Sequence, residues 1–312
     1  MSNQNLSAFM KLRYACEYAV LRAVAGVMRA LPLELASRFM GATWRLIAPL
    51  TKRHAHALEN LALAFPDMPP EERERIARAM WANLGRVAAE SFQLDRLYRD
   101  RHRYTLDVED ARNCASQNSG ACVLVSLHTG NWELVAQPAA DVGLETAAVY
   151  QALKNPFADR YLAGLRHLFY PAGLYPKSHS TARKLVQHVR DGGAIAFLAD
   201  QRDVRGVQVP FFGQPAWATP FPVMVARTYG VPLLVCRTIR REGVNFHIEA
   251  KTLDIPRDGD RHSDIQEGTA RVHAQFERWI REYPEQWMWI HRKWADKKSK
   301  RKKKLNVTSR TP

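Results

Sequence analysis

The segment from residue 122 to residue 136 constrains the fold most strongly, because it changes from a strand pattern to a helix pattern within a few residues. Residues 122–127 form a short apolar run with β-branched side chains, which is typical of a buried strand in a parallel sheet. His128 and a Thr-Gly-Asn turn follow, and a helical pattern begins at Trp132. Open α/β sheets bind ligands at the carboxyl ends of their strands, so this order predicts that His128 lies at a ligand site.

Strand-like and helix-like segments alternate from residue 104 onward. Strand patterns occur at residues 104–108, 121–127, 145–150, 194–199, 231–239 and 246–250, and helical patterns at 155–169, 181–189, 219–228 and 263–283. We therefore predict an α/β fold with a mixed, mostly parallel sheet flanked by helices. With 312 residues, 46% of them hydrophobic, the chain can bury a sizeable core.

The N-terminal region has a different composition. Two helical patterns, at residues 14–31 and 33–50, combine Ala, Leu and Val with recurring arginines. They fit helices in a membrane interface or ordinary amphipathic helices over a core, and we favour the membrane. We predict a membrane-attachment segment at 1–50, an α/β domain at 51–294 and a disordered basic tail at 295–312.

The charge balance points to an anionic partner. The net charge is +15 and seven of the eight residues 297–304 are basic, which favours nucleic acid, anionic lipid or a phosphorylated substrate. No nucleic-acid-binding module is recognisable, so we expect no nucleic-acid partner. The four cysteines show neither paired nor metal-ligand spacing, which indicates reduced thiols in a protein that faces the cytoplasm, with no metal site.

The spacing of His128 and Glu133 suggests a base and a carboxylate that orients it. Five residues apart, they would not share a face of one helix. They meet if His128 lies on the turn and Glu133 points back from the first helical turn, where its carboxylate would fix the imidazole tautomer. No Ser or Cys stands beside them as a nucleophile, so the attacking group would be a hydroxyl of the substrate. The alternative is that His128 caps the turn and Glu133 is a solvated carboxylate.

Further segments could contact a ligand. Arg166, on the helix predicted at 155–169, could hold phosphates or stabilise an oxyanion. Asp200 follows a strand and would lie beside the His128 turn if the two strands are neighbours. The apolar loop at 207–213 either packs on the protein or touches an acyl chain. The Trp-rich segment 284–294 is either an aromatic belt at a bilayer surface or a helix buried against the sheet.

Together these motifs resemble the bacterial lipid A biosynthesis late acyltransferases, the family of lauroyl and myristoyl transferases. The similar pieces, between about residue 12 and residue 294, are His128 with Glu133, Asn60-Leu61, Ala64-Phe65-Pro66, Asn155-Pro156, Asp200-Gln201, the run from Val209 to Gly213 and the run from Pro284 to Arg292. One position departs from the pattern: Phe221 stands where related proteins commonly have a glycine, which affects the expected shape of the acceptor or acyl pocket.

The resemblance implies a membrane-attached α/β enzyme on the cytoplasmic face of the bacterial inner membrane. Such an enzyme moves an acyl chain from an acyl carrier protein thioester to a hydroxyl of a lipid A precursor, without a cofactor. Carried over by position, His128 is the base, Glu133 its partner, Arg166 a substrate- or oxyanion-side arginine and Asp200 a second substrate-binding candidate. The same motifs would also fit transfer to a lysophospholipid, an ornithine lipid or a glycolipid, and a non-catalytic lipid-binding scaffold is a third alternative.

Overall fold

The fold was analysed in a computed structural model, which describes residues 7–117 and 120–294. In this part of the chain seven strands form one sheet, in the order β1-β9-β8-β2-β5-β3-β4, and β6 and β7 form a separate hairpin. The strands are β1 (Tyr104–Asp107), β2 (Cys122–Ser126), β3 (Thr146–Tyr150), β4 (Gly173–Pro176), β5 (Ala194–Leu198), β6 (Val207–Phe211), β7 (Gln214–Ala218), β8 (Leu233–Arg240) and β9 (Phe246–Thr252).

Helices cover both faces of this sheet. They are α1 (Ala8–Ala30), α2 (Leu33–Ile47), α3 (Lys52–Ala64), α4 (Pro70–Ser91), α5 (Leu94–Arg99), α6 (Glu109–Gln117), α7 (Gln137–Asp141), α8 (Pro156–Arg166), α9 (His179–Arg190), α10 (Phe221–Tyr229) and α11 (Arg261–Glu282). Five adjacent strands, from β8 to β4, run parallel, and β8 and β9 are antiparallel. The predicted mixed, mostly parallel sheet flanked by helices is therefore confirmed.

Strand β2 is buried on both faces, as its continuous apolar sequence predicts. Because side chains alternate along a strand, Val123 and Val125 join a core formed with α9, α10 and α11. Cys122 and Leu124 point to the opposite face and pack with α6 and α7. This double burial fixes the position of the chain where β2 ends, immediately before His128.

One predicted loop has more regular structure than the sequence suggested. The apolar loop expected at 207–213 is the β6–β7 hairpin, whose turn residues Phe212 and Gly213 both have positive φ. Phe211 and Phe212 are buried, so this segment packs on the protein. Its prolines, Pro210 and Pro215, face each other in the ladder and obscured the strand pattern.

The Trp-rich segment 284–294 is neither a helix nor an exposed aromatic belt. A short 3-10 turn at Pro284–Gln286 is followed by irregular backbone. Trp287 and Trp289 are buried and pack against each other with ring centroids 4.6 Å apart. Their aromatic surface therefore belongs to the core.

The N-terminal region forms the two expected helices, α1 and α2. No helix within residues 7–117 and 120–294 combines the length and apolar character needed to cross a bilayer. The basic tail predicted at 295–312 lies outside the described residues.

Candidate active site

His128 and Asp200 meet at the carboxyl ends of two neighbouring parallel strands. Ser126 of β2 is in register with Leu198 of β5. His128 and Asp200 each lie two residues beyond these partners, so the same register brings them side by side. The predicted neighbourhood of Asp200 and the His128 turn is thus confirmed, at the sheet edge where ligand sites form.

Asp200 holds the His128 imidazole in one orientation. The imidazole Nδ1 is 2.7 Å from Oδ1 of Asp200, while the backbone N–H of His128 donates to Oδ2 at 3.0 Å. The indole Nε1–H of Trp287 also donates to Oδ2, at 2.8 Å. Burial alone raises the pKa of Asp200, but the charge of His128 and these hydrogen bonds outweigh it and hold that pKa below its usual range. Asp200 therefore stays ionised, and its carboxylate can hold the Nδ1 proton of a neutral His128 imidazole, whose Nε2 then carries the lone pair.

Glu133 does not occupy the position expected beside the imidazole. Its two carboxylate oxygens accept hydrogen bonds from Nε and Nη2 of Arg166, both at 2.6 Å. Residues 132–134 form a 3-10 turn, and this turn carries Glu133 toward α8. The charge of Glu133 raises the pKa of Arg166, so the guanidinium remains charged. The carboxylate on His128 is that of Asp200, and Glu133 and Arg166 form a second, separate pair.

The turn after His128 is fixed by close backbone contacts. Gly130 has φ of +57°, and a Cβ there would lie 2.0 Å from the carbonyl oxygen of Thr238. Its N–H donates to the Gln286 carbonyl at 3.2 Å, and its own carbonyl accepts from Asn83 Nδ2 at 2.9 Å. The carbonyl of His128 accepts from the N–H of Met288 at 3.1 Å. The segment that contains Trp287 therefore fixes both Asp200 and the His128 backbone.

A buried ionic network supports the same turn from behind. Glu90 of α4, completely buried, accepts hydrogen bonds from Arg240 at 2.7 and 2.8 Å. It also accepts from Asn131 Nδ2 at 2.8 Å and from Ser37 at 2.7 Å. Arg240 reaches on to Asn83 at 2.7 Å. Sequence reasoning missed this group, since Arg240 lies 150 residues from Glu90 and 157 residues from Asn83 along the chain.

The open side of the imidazole faces three other side chains. Trp132 lies edge-on to the His128 ring, with centroids 5.1 Å apart. Gln201 Nε2 is 3.4 Å from Nε2 of His128 and 3.4 Å from Nε2 of His291. The two imidazole centroids are 6.3 Å apart. The nitrogen that can accept a proton thus points toward a small polar space between these groups.

The acceptor or acyl pocket expected from the sequence can be compared with two features of the structure, the position of Phe221 and a cavity. Phe221 begins α10 and packs edge-on to Phe197 of β5, with ring centroids 5.5 Å apart, so this position is part of the packed core. A cavity of about 520 Å³ is walled by Tyr98, Arg101, Tyr104, Leu106, Gln137, Ala140 and Asp141. Neither His128 nor Asp200 lines it, so it is distinct from the site around the imidazole.

A family model for bacterial lipid A biosynthesis acyltransferases matches residues 3–296, nearly the whole chain. The chain belongs to this acyltransferase family. Two similar proteins are the lipid A biosynthesis palmitoleoyltransferase of Escherichia coli (strain K12) and the lipid A biosynthesis acyltransferase of Shigella flexneri. Each is 27% identical to this chain over 255 residues, covering 78% of this chain and 79% of the relative. The resemblance drawn from the sequence motifs is confirmed.

Membership of the lipid A acyltransferase family gives the site geometry a chemical context. Acyl transfer needs a nucleophile to be deprotonated and the charge on the reacting carbonyl to be stabilised. The His128–Asp200 pair can meet the first requirement, because an imidazole with an occupied Nδ1 and a free Nε2 is a general base. Groups on the Nε2 side, or Arg166, are candidates for the second.

Proposed function

We propose that this acyltransferase moves a fatty acyl chain from an acyl carrier protein thioester to a hydroxyl of a lipid A precursor. The observation that carries the proposal is the His128–Asp200 hydrogen bond of 2.7 Å, which directs Nε2 toward the polar space at the sheet edge. The family match supports an acceptor that belongs to lipid A biosynthesis.

The imidazole acts as base and then as acid. Nε2 of His128 removes the proton of the acceptor hydroxyl, whose oxygen attacks the thioester carbonyl carbon. The tetrahedral intermediate collapses with cleavage of the carbon–sulfur bond, and the leaving thiolate takes the proton back from His128. Asp200 stabilises the imidazolium between these two steps. General base catalysis of this kind contributes about 10²–10⁴-fold in rate.

Glu133 and Arg166 serve the acceptor side of the same reaction. The pair uses Nε and Nη2 of Arg166, while Nη1 has no protein partner among the hydrogen bonds of the described residues. A guanidinium held rigidly by a carboxylate suits a phosphate, because its planar fork is pre-organised. Glu133 thus contributes by fixing Arg166 beside the turn that carries His128, and the Arg166 N–H group binds a phosphate of the lipid acceptor.

We place the reaction on the cytoplasmic face of the inner membrane. Exposed apolar side chains on α1 and α2, such as Phe9 and Leu46, support attachment to a lipid surface. The net charge of +15 supports both an anionic bilayer surface and an acidic carrier protein as partners.

Lipid mass spectrometry tests the overall proposal. A strain that lacks the gene should produce lipid A short of one acyl chain, and expression of the wild-type gene should restore it. An unchanged lipid A profile would contradict the lipid A acceptor, and loss of an acyl chain from another lipid would identify a different one.

Kinetics of purified variants test the assigned roles. His128→Ala and Asp200→Asn should each lower kcat by about 10²–10⁴-fold, because one removes the base and the other its ionised partner. Glu133→Gln should mainly raise KM for the lipid acceptor, because Arg166 loses its fixed orientation. Glu72→Gln, which replaces the carboxylate of a partly exposed ion pair with Arg75 on α4, is the matched control and should keep wild-type kinetics. Wild-type rates in folded His128→Ala would exclude this mechanism.

A further inference from the structure

Two imidazole nitrogens converge on one point at the open side of the site. Nε2 of His128 and Nε2 of His291 each lie 3.4 Å from the same atom, Nε2 of Gln201. Hydrogen bonds of this length are weak, so the Gln201 amide can leave at little cost. A polar substrate atom placed where this amide nitrogen sits would therefore be within reach of both imidazoles.

The main chain around His291 is fixed, which gives its ring a defined place. Its carbonyl oxygen accepts a hydrogen bond from Nδ2 of Asn60, at 2.6 Å, and another from the N–H of Lys293, at 2.9 Å. Asn60 also donates to the carbonyl of Trp289 at 2.6 Å, so one buried amide holds both sides of the segment. The position of the His291 ring follows from these contacts and from the buried tryptophans next to it.

His291 is held in the uncharged form. Burial lowers the pKa of His291 below the usual imidazole range, and the neighbouring His128 lowers it further. A neutral imidazole carries its proton on either nitrogen, so its Nε2 can present a hydrogen-bond donor to a ligand. Such a donor binds an oxyanion without first having to lose charge or reorganise.

We infer that His291 is a second catalytic residue, whose Nε2–H donates a hydrogen bond to the carbonyl oxygen of the acyl thioester. The inference rests on the proposed acyl transfer. As the acceptor oxygen attacks the carbonyl carbon, the carbonyl π bond becomes a C–O⁻ bond, and His291 stabilises this charge while keeping its own proton. His128 holds the proton taken from the hydroxyl. When the carbon–sulfur bond breaks, the carbonyl re-forms and the thiolate receives the proton from His128.

In this arrangement each imidazole contacts a different oxygen of the tetrahedral intermediate. The attacking oxygen lies next to Nε2 of His128 and the former carbonyl oxygen next to Nε2 of His291. Arg166 is less suited to this second position, because Nε and Nη2 of its guanidinium are committed to Glu133. In the free protein Gln201 fills the space between the imidazoles, and the reacting groups of the substrate replace its amide.

Two substitutions at His291 test this role. His291→Phe keeps an aromatic ring but removes the donor, and it should lower kcat by about 10²–10³-fold with little change in KM for the thioester. His291→Gln restores an N–H donor near the original Nε2, so it should recover a large part of the lost kcat. His262→Phe, at an exposed position of α11, is the control for the loss of a histidine and should leave kcat unchanged. Thermal unfolding of each variant shows whether the fold is retained.

The outcomes separate this inference from the function on which it rests. If His128→Ala is inactive while His291→Phe keeps nearly wild-type kcat, the acyl transfer stands and the role of His291 is wrong. If both His291 variants lose activity equally while folded, a donor at this position is not the cause, and the inference is again wrong. If the wild-type protein transfers no acyl chain, the proposed function itself fails.

Discussion

Lys293 and His273 form a buried pair close enough to Asp200 for its charge to act on both groups. Nζ of Lys293 is 3.0 Å from Nε2 of His273, and the ring of Phe211 lies 5.4 Å from the same amine. Lys293 is 1% exposed and His273 is completely buried. Burial lowers the pKa of His273 well below its usual range, and Lys293 adds to this, so His273 is the neutral acceptor of the pair. Burial also lowers the pKa of Lys293, to about 8.

The contribution of Lys293 to the stability of the protein should therefore rise with pH through the alkaline range. In the unfolded chain Lys293 keeps its proton up to about pH 10.4, whereas the folded protein releases it near pH 8. The cost of burying the charge is present below pH 8 and is relieved between pH 8 and 10. Relative to Lys293→Met, the wild type should gain about 2–3 kcal/mol in free energy of unfolding over this interval.

Urea unfolding of both proteins at pH 7.5, 9 and 10 measures this difference. Lys52→Met, at an exposed position of α3, is the control and should follow the wild-type pH dependence. If the unfolding free energies of the wild type and Lys293→Met change with pH in the same way, the amine of Lys293 titrates as it does in water.

The residues of the site differ in how visible they are in the sequence. His128 and Asp200 each follow a recognisable strand, so strand order and register suffice to bring them together. The partner of Glu133 was not predictable in this way. It depends on the direction of a 3-10 turn and on Arg166, which lies 33 residues later on another helix. Spacing along the chain places residues on an element but does not orient a side chain after an irregular turn.

At the scale of elements, the turn after His128 depends on its close approach to β8. Gly130 lies against the carbonyl of Thr238, and its positive φ is a conformation that residues with a Cβ rarely adopt. Both constraints act at one position. The backbone that follows His128 therefore has little conformational freedom, and this restricts the positions that the imidazole can adopt.

Gly130→Ala should be much more damaging than alanine at another glycine with positive φ. Gly143 has φ of +78° but has no atom within 4 Å of a built Cβ, so Gly143→Ala carries only the backbone strain of about 1–2 kcal/mol. Gly130→Ala adds a collision with the Thr238 carbonyl and should cost more than about 3 kcal/mol. Denaturant unfolding compares the two stabilities, and acyl transfer measures the effect on the site. An equal loss of unfolding free energy in Gly130→Ala and Gly143→Ala would show that β8 can move aside.

Regular elements were easier to predict from the sequence than the connections between them. The β8–β9 pair and the buried strand β2 have clear apolar patterns, and the structure confirms them. Strand β4 was missed because it begins with Gly173 and ends with Pro176, so only Leu174 and Tyr175 between them favour a strand. The segment around Trp287 was misassigned, since composition shows that tryptophans will be buried or interfacial but does not show that irregular backbone holds them.

At the scale of the whole molecule, exposed apolar side chains concentrate in the first two helices and the turn after them. Of the seventeen exposed large apolar residues in the described part of the chain, eleven lie between residues 9 and 50, so exposed apolar side chains are concentrated in this N-terminal region. The region is tied to the site through α8. Asn155 caps that helix and donates to the carbonyl of Tyr14 at 2.9 Å, while Arg166 ends it. Attachment of α1 and α2 to a bilayer would thus also fix the position of α8, which packs on α1 and ends at Arg166.

If this region binds membrane, charged substitutions within it should release the protein. Leu46 and Leu50 are 71% and 86% exposed, so Leu46→Glu with Leu50→Glu should leave the fold intact. Each leucine that inserts into the interface contributes about 1.5–3 kcal/mol, and binding should therefore fall by at least tenfold for each change. Co-sedimentation with vesicles that contain anionic lipid, in high salt, isolates this apolar contribution because salt screens the basic residues.

The exposed strand residue Leu106, far from α1 and α2 in sequence and on the opposite edge of the sheet from β4, provides the matched control. Leu106→Glu adds the same charge and should leave vesicle binding unchanged if attachment is confined to the N-terminal helices. Equal binding by the double variant and the wild type would contradict attachment through α2. Loss of binding in Leu106→Glu as well would show that the added charge alone, wherever it stands, weakens the interaction with the anionic surface, and that the apolar side chains of α2 do not define the membrane contact.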